Sequence, residues 1–169
     1  GVGDMRGPGK GVTILIIVVA VIVIPALMMF SWYKRGYDRF VGLDEGVNAA
    51  WAQVENQLQR RYDLVPNLVN TVKGYAEHEK EVFTQVTEAR ARVGSAQSIP
   101  DKMAANRQLT SALGRLLVVM ERYPDLKANQ NFLSLQAQLE GTENRIAVER
   151  RRYNEAVREY NTALRGFFA

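Results

Sequence analysis

VTILIIVVAVIVIPALMMF, residues 12–30, is an uncharged run of apolar side chains, and Ser31-Trp32-Tyr33 carries it to the basic pair Lys34-Arg35. At about 1.5 Å per residue, residues 12–32 span roughly 30 Å as a helix, the thickness of a bilayer's hydrocarbon core. A transmembrane helix over residues 12–33 is therefore expected, behind a short tail at 1–11. The run is too long for a signal-peptide core, and no small-x-small cleavage pattern precedes Trp32-Tyr33. Trp32 and Tyr33 stand where amphipathic rings settle among lipid headgroups, with Lys34 and Arg35 just beyond, so these four residues are assigned to the membrane interface. Pro25 would kink the span without preventing it, because neighbouring groups can serve the carbonyl it frees. Three basic residues follow the span (Lys34, Arg35, Arg39) and two precede it (Arg6, Lys10), a count that favours the cytoplasm for the rest of the chain. Gly3, Gly7 and Gly11 have GxxxG spacing but lie before the apolar run, where the spacing is a poor sign of helix dimerisation.

Working outward, alternate steps of 4 and 3 from Val47 give Trp51, Val54, Leu58, Arg61, Val65, Leu68, Val72, Tyr75, Glu79, Val82, Val86, Ala89 and Val93, a stripe broken only by Arg61 and Glu79. The same steps taken backwards reach Leu43, Phe40, Gly36 and Tyr33, so helical phase runs on from the membrane segment. Pro66 lies inside this run and costs the backbone bond to the Tyr62 carbonyl. Because the stripe keeps step across it, a kinked continuous helix is favoured over a reversing turn, with Gly94 as the stop. Ser98-Ile99-Pro100-Asp101 resembles a capping box. Leu109, Leu113, Leu116, Met120 and Tyr123 form the apolar face of the helix that follows, which Tyr123-Pro124 ends.

From Phe132 a further series (Leu135, Leu139, Thr142, Ile146, Glu149, Tyr153, Ala156, Tyr160, Ala163, Phe167) predicts a second long helix of roughly 60 Å. Strand alternation and hairpin dipeptides are absent from the sequence. The fold expected is all-α: a single-pass transmembrane helix, then an elongated antiparallel up-and-down bundle of three or four long helices, or a coiled-coil-like rod, over residues 34–169. Phe40, Val47, Trp51, Val54, Leu58, Tyr153, Tyr160 and Phe167 are the candidate seam positions, available to the core or to a second copy of the chain. Core is the default for such aromatics.

Composition removes most chemistry. No cysteine occurs among the 169 residues, which excludes disulfides, thiolate metal sites and cysteine nucleophiles. The one histidine, His78, sits in Glu77-His78-Glu79-Lys80-Glu81 and offers half a metal site at most, whereas di-iron bundles need a Glu-x-x-His pair on each of two helices. No nucleophile elbow or phosphate-binding glycine loop is present. Lys plus Arg number 22 against 18 for Asp plus Glu, interspersed along the chain. Even Arg150-Arg151-Arg152 is flanked by Glu149 and Glu155, which reads as a solvated helix face and not as a nucleic-acid patch. Gly74, Gly114 and Gly141 are assigned to close helix approach. No catalytic residue, metal, cofactor or small-molecule substrate is expected.

Trp51-Ala52-Gln53-Val54, the segment from Arg60 through Tyr62, Pro66 and Asn67 to Val69, Val72-Lys73-Gly74-Tyr75-Ala76-Glu77-His78-Glu79 and Ala89-Arg90 resemble the signature of the LemA family. So do Tyr123-Pro124-Asp125-Leu126-Lys127-Ala128, Asn131-Phe132, Leu135-Gln136, Glu143-Asn144-Arg145-Ile146-Ala147, Tyr153-Asn154 and Tyr160-Asn161. The resemblance implies a bacterial inner-membrane protein with an N-terminal anchor and a four-helix antiparallel bundle, in a family without established enzymatic activity. A four-helix count favours a break near Asp63-Pro66 or near the membrane. Two functions follow as expectations. One is a homo-oligomeric scaffold that contacts lipid and organises or remodels the membrane. The other is a monomeric adaptor for a protease, signalling protein or other envelope protein.

Overall fold

The computed structural model describes residues 9–168, apart from the side chains at positions 10, 12, 13, 167 and 168, so the tail with Gly3, Arg6 and Gly7, the side chain of Lys10 and that of Phe167 lie outside what is described. Five helices account for the described chain: α1 Lys10–Lys73, α2 Lys80–Ser95, α3 Ile99–Met120, the single turn α4 Pro124–Lys127, and α5 Gln130–Phe168. No strand occurs among the described residues. They form two compact units, one drawn from residues up to Val47 and from Ala156 onward, the other Asn48–Glu155.

In the first unit α1 is apolar on every side. The large hydrophobic side chains at 14–30 are 43–73 % exposed, too open for a core helix, and the helix is long and apolar enough to cross a membrane. A helix hydrophobic all round finds its partner in lipid and not in its own chain.

In the second unit the stripe expected from the sequence is the one buried. Val54, Leu58, Val65, Leu68 and Val72 of α1 meet Phe83, Val86 and Ala89 of α2, Leu109, Leu113, Leu116 and Met120 of α3, and Phe132, Leu139 and Ile146 of α5 in two neighbouring clusters. At about 25 cal/mol per Å², burial of these side chains dominates the stability of the unit. Successive helices are antiparallel: Arg90 reaches Tyr62, Arg92 and Arg115 reach Gln108 and Gln85, and Thr110 lies by Glu143. Trp51 meets Tyr153, Arg61 meets Glu143 and Tyr75 meets Asn129. In each of these three pairs the residue numbers add to the same total, the mark of α1 and α5 held antiparallel in one register.

Pro66 does not break α1. The carbonyl that it deprives, Tyr62 O, accepts a hydrogen bond from Arg90 Nε of α2 at 3.1 Å, and the same guanidinium lies over the Tyr62 ring, 3.7 Å from its centroid. A side chain from the next helix thus replaces the missing amide. Gly94 is opposite: a Cβ there would stand 3.2 Å from the Tyr62 ring, so the glycine permits this contact.

Two expectations are corrected. The stripe does not run through one helix to Val93, because α1 ends at Lys73 and residues 74–79 turn the chain before α2. Tyr75 N and Ala76 N both bond to Val72 O, and Glu79 N bonds to Ala76 O. Buried Ala76 plugs the end of the core while Gly74, at the reversal, is exposed. The turn happens to preserve the phase, so the stripe alone does not reveal it. Nor do Gly74, Gly114 and Gly141 mark close helix approach: a Cβ at Gly114 or Gly141 would meet nothing within 4 Å, and at Gly74 only the Thr71 carbonyl oxygen at 4.0 Å.

Ser98 caps α3 as expected, its Oγ accepting from Asp101 N at 3.2 Å. The helix ends at Met120, and Pro124, whose missing amide costs nothing in a first turn, opens α4. Asn129 caps α5 by accepting from Phe132 N at 3.0 Å.

Candidate functional site

Three features stand out from the packed core. The first is a polar knot inside the bundle. Arg61, the residue that interrupts the α1 stripe, is 4 % exposed; its Nη1 donates to Asn106 Oδ1 at 3.0 Å and Thr110 Oγ1 at 2.9 Å on α3, and to Glu143 on α5, with which it forms an ion pair. Burial lowers the Arg61 pKa, while the charge and hydrogen bond of Glu143 pull it back up. The guanidinium stays protonated. Its role is to fix three helices in register.

The second is the knitted end of the bundle. Glu79 Oε1 accepts from Tyr123 Oη at 3.0 Å and pairs with Arg122 at 3.3 Å, while Tyr75 Oη accepts from Asn129 at 2.9 Å. The hydrogen bond to Glu79, and then burial, raise the Tyr123 pKa. Glu79, the other interruption of the stripe, therefore ties the 74–79 turn to the segment after α3. His78 is exposed beside it. Among the described residues, no three His, Cys, Asp or Glu side chains converge as a metal site requires.

The third is a groove of about 660 Å³ within the first unit, between α1 and the last turns of α5. Trp32, Arg35, Gly36, Arg39, Phe40 and Leu43 line it from α1, where positions three and four apart share one face. Arg158, Glu159, Thr162, Ala163 and Gly166 line it from α5. It thus has apolar walls, three guanidinium groups and one carboxylate, immediately beyond the apolar run.

The residues that carry the motifs therefore meet in space as ties between helices: Tyr62 and Pro66 with Arg90, Glu79 with Tyr123, Arg61 with Glu143. The LemA family profile matches residues 50–169. The chain belongs to the LemA family. Its relatives include magnetosome protein MamQ 1 of Paramagnetospirillum magneticum, 27 % identical over 94 % of this chain and 66 % of the relative. Magnetosome protein MamQ of Magnetospirillum gryphiswaldense is 25 % identical over 94 % and 67 %. Protein LemA of Metamycoplasma hominis is 24 % identical over 65 % and 51 %. This LemA-family chain spans about two thirds or less of the length of these curated relatives. None of these names denotes an enzyme.

The sequence-selected positions divide between the two units. Val54 and Leu58 are buried with Ile146, and Trp51 packs edge-on against Tyr153, ring centroids 5.4 Å apart, on the same cluster. These four seam positions are filled from within the chain. Val47 and Tyr160 are half-buried, as is Phe40, which lines the groove with Trp32 and Arg35. Tyr33 and Lys34 are exposed and off the groove. Sequence reasoning missed the groove's remaining cations. Arg39, four residues after Arg35, shares its face and was legible; Arg158 lies more than a hundred residues away and left no local signal.

Proposed function

We propose that this LemA-family protein is a membrane-anchored helical scaffold that self-associates to organise or remodel the bilayer, without catalysis. The observation that carries the reading is that one helix, α1, is apolar and exposed all round at 14–30 and amphipathic and buried along one stripe from Val54 onward. Such a helix delivers a packed bundle to a membrane surface. Since Trp51, Val54, Leu58 and Tyr153 are satisfied internally, association is assigned to the span itself and to the half-buried positions beside it, Val47 and Tyr160. The excess of Lys34, Arg35 and Arg39 over Arg6 and Lys10 supports assigning the bundle to the cytoplasmic face of a bacterial inner membrane.

The test is the mass of the intact protein extracted in native lipid particles and imaged in the same preparation by electron microscopy. A uniform multi-copy assembly is expected. Single copies would overturn self-association, and single copies bound to a different protein would make the chain an adaptor.

A further inference from the structure

We propose that the groove between α1 and the end of α5 binds the headgroup of an anionic glycerophospholipid, with Arg35, Arg39 and Arg158 holding the phosphate. This inference rests on the reading of residues 12–33 as a membrane anchor. Three observations carry it.

The first is depth. Residues 12–32 suffice to cross the hydrocarbon core, and the headgroup layer adds roughly 5–8 Å on each side. Counting from Trp32 at about 1.5 Å per residue, Arg35 lies roughly 4–5 Å and Arg39 roughly 10 Å further along α1. One guanidinium is therefore within the phosphate layer and the other is at its outer edge, within reach of a flexible side chain.

The second is charge. Three guanidinium groups against the single carboxylate of Glu159 leave the groove cationic. No side-chain hydrogen bond or ion pair joins Arg35, Arg39 or Arg158 to an acid among the described residues, in contrast to Arg61 with Glu143 and Arg152 with Glu149. Planar guanidinium forks match phosphate oxygens in pairs, and basic pockets at membrane-proximal positions suit anionic headgroups.

The third is the wall. Trp32, Phe40, Leu43 and Ala163 give the groove an apolar side, fit for the glycerol and upper acyl carbons of a lipid and superfluous for a free anion.

The experiment uses the full chain with Trp51→Phe, so that Trp32 is the one emitting tryptophan, in phosphatidylcholine vesicles at fixed low salt. Dibrominated phosphatidylglycerol or dibrominated phosphatidylcholine is added at equal mole fraction, and Trp32 quenching gives a relative association constant. The expected result is a several-fold preference for phosphatidylglycerol, which changing any one groove arginine to Gln, at about fivefold per charge, brings close to none. Glu159→Gln, which removes the opposing charge, raises the preference, a gain that misfolding does not imitate. Lys34→Gln makes the same charge change off the groove and leaves most of the preference in place.

Equal quenching by both lipids would overturn the proposal while leaving the anchor intact. So would a Lys34→Gln effect equal to that of Arg35→Gln, which means diffuse surface attraction, or loss of the preference to millimolar inorganic phosphate, which means a free-anion site. Absence of quenching by either lipid would remove the anchor and this inference together.

Discussion

Residues 14–30 and residues 54–72 belong to one helix, yet they solve opposite problems. The first stretch is apolar around its whole circumference and its large side chains are all exposed; the second is apolar on one stripe, and that stripe is closed by α2, α3 and α5. The difference is one of solvent. Where lipid surrounds the helix no side chain needs a protein partner, whereas in water each buried position depends on a particular neighbour. Substitutions should therefore act by different rules on either side of Val47, and each experiment below tests that boundary.

The largest effect is expected from paired charges in the apolar stretch. Ile17→Arg with Ile22→Arg costs about 2.5–3.5 kcal/mol of insertion for each arginine, enough to move the protein from the carbonate-resistant membrane fraction to the supernatant while the bundle keeps its unfolding midpoint. Next, Leu116→Ala, at a fully buried position, lowers unfolding stability by about 2–5 kcal/mol, whereas Leu27→Ala, at 61 % exposure, leaves denaturant unfolding in detergent unchanged. Equal effects would erase the distinction between the two regions.

Glu143→Ala leaves the Arg61 guanidinium buried beside Asn106 and Thr110 without its counter-charge. A loss of about 3 kcal/mol is expected, at the low end for a broken buried pair because the Glu143 side chain is 42 % exposed. Smaller still, Arg90→Met removes the hydrogen bond to Tyr62 O and costs about 1–2 kcal/mol. Much of that cost disappears in a Pro66→Ala background, where an amide at 66 serves the carbonyl; additive losses in the double-mutant cycle would refute the repair.

The smallest effect depends on pH. The Tyr123 phenol is held protonated in the fold by its bond to Glu79, so its pKa is raised. The contribution is complete below the unfolded value near 10 and disappears as pH rises through the raised folded value. A stability profile in alkali should therefore fall in wild type and be flatter in Tyr123→Phe.

Periodicity made most of the architecture legible. The Val54-to-Val72 stripe and the Leu109-to-Met120 face match buried positions, the α5 series from Phe132 to Ala163 falls on buried or half-buried ones, and Ser98 caps α3, because 3.6-residue spacing and capping chemistry are local. The turn at 74–79 escaped because Val72, Tyr75, Glu79 and Val82 keep their 3-4 spacing straight through it. The polar interruptions Arg61 and Glu79 were visible as exceptions, but their partners stand on other helices, 82 and 44 positions away for Glu143 and Tyr123. The groove was half legible, since Arg35 and Arg39 share a face that the sequence displays and Arg158 joins them only through the antiparallel return of α5.

Arg90 has a consequence for the order of folding. The backbone ladder of α1 has a missing rung at Pro66, and the group that serves it arrives 24 residues later in the chain, on α2. Elongation of the helix as an isolated segment, an event of nanoseconds per residue, leaves that defect open. The rung is supplied only when the α1–α2 hairpin closes and sets Arg90 over the Tyr62 ring. The two helices therefore reach their full stability in one step, and amide exchange around Tyr62 and around Arg90 should report a single opening event.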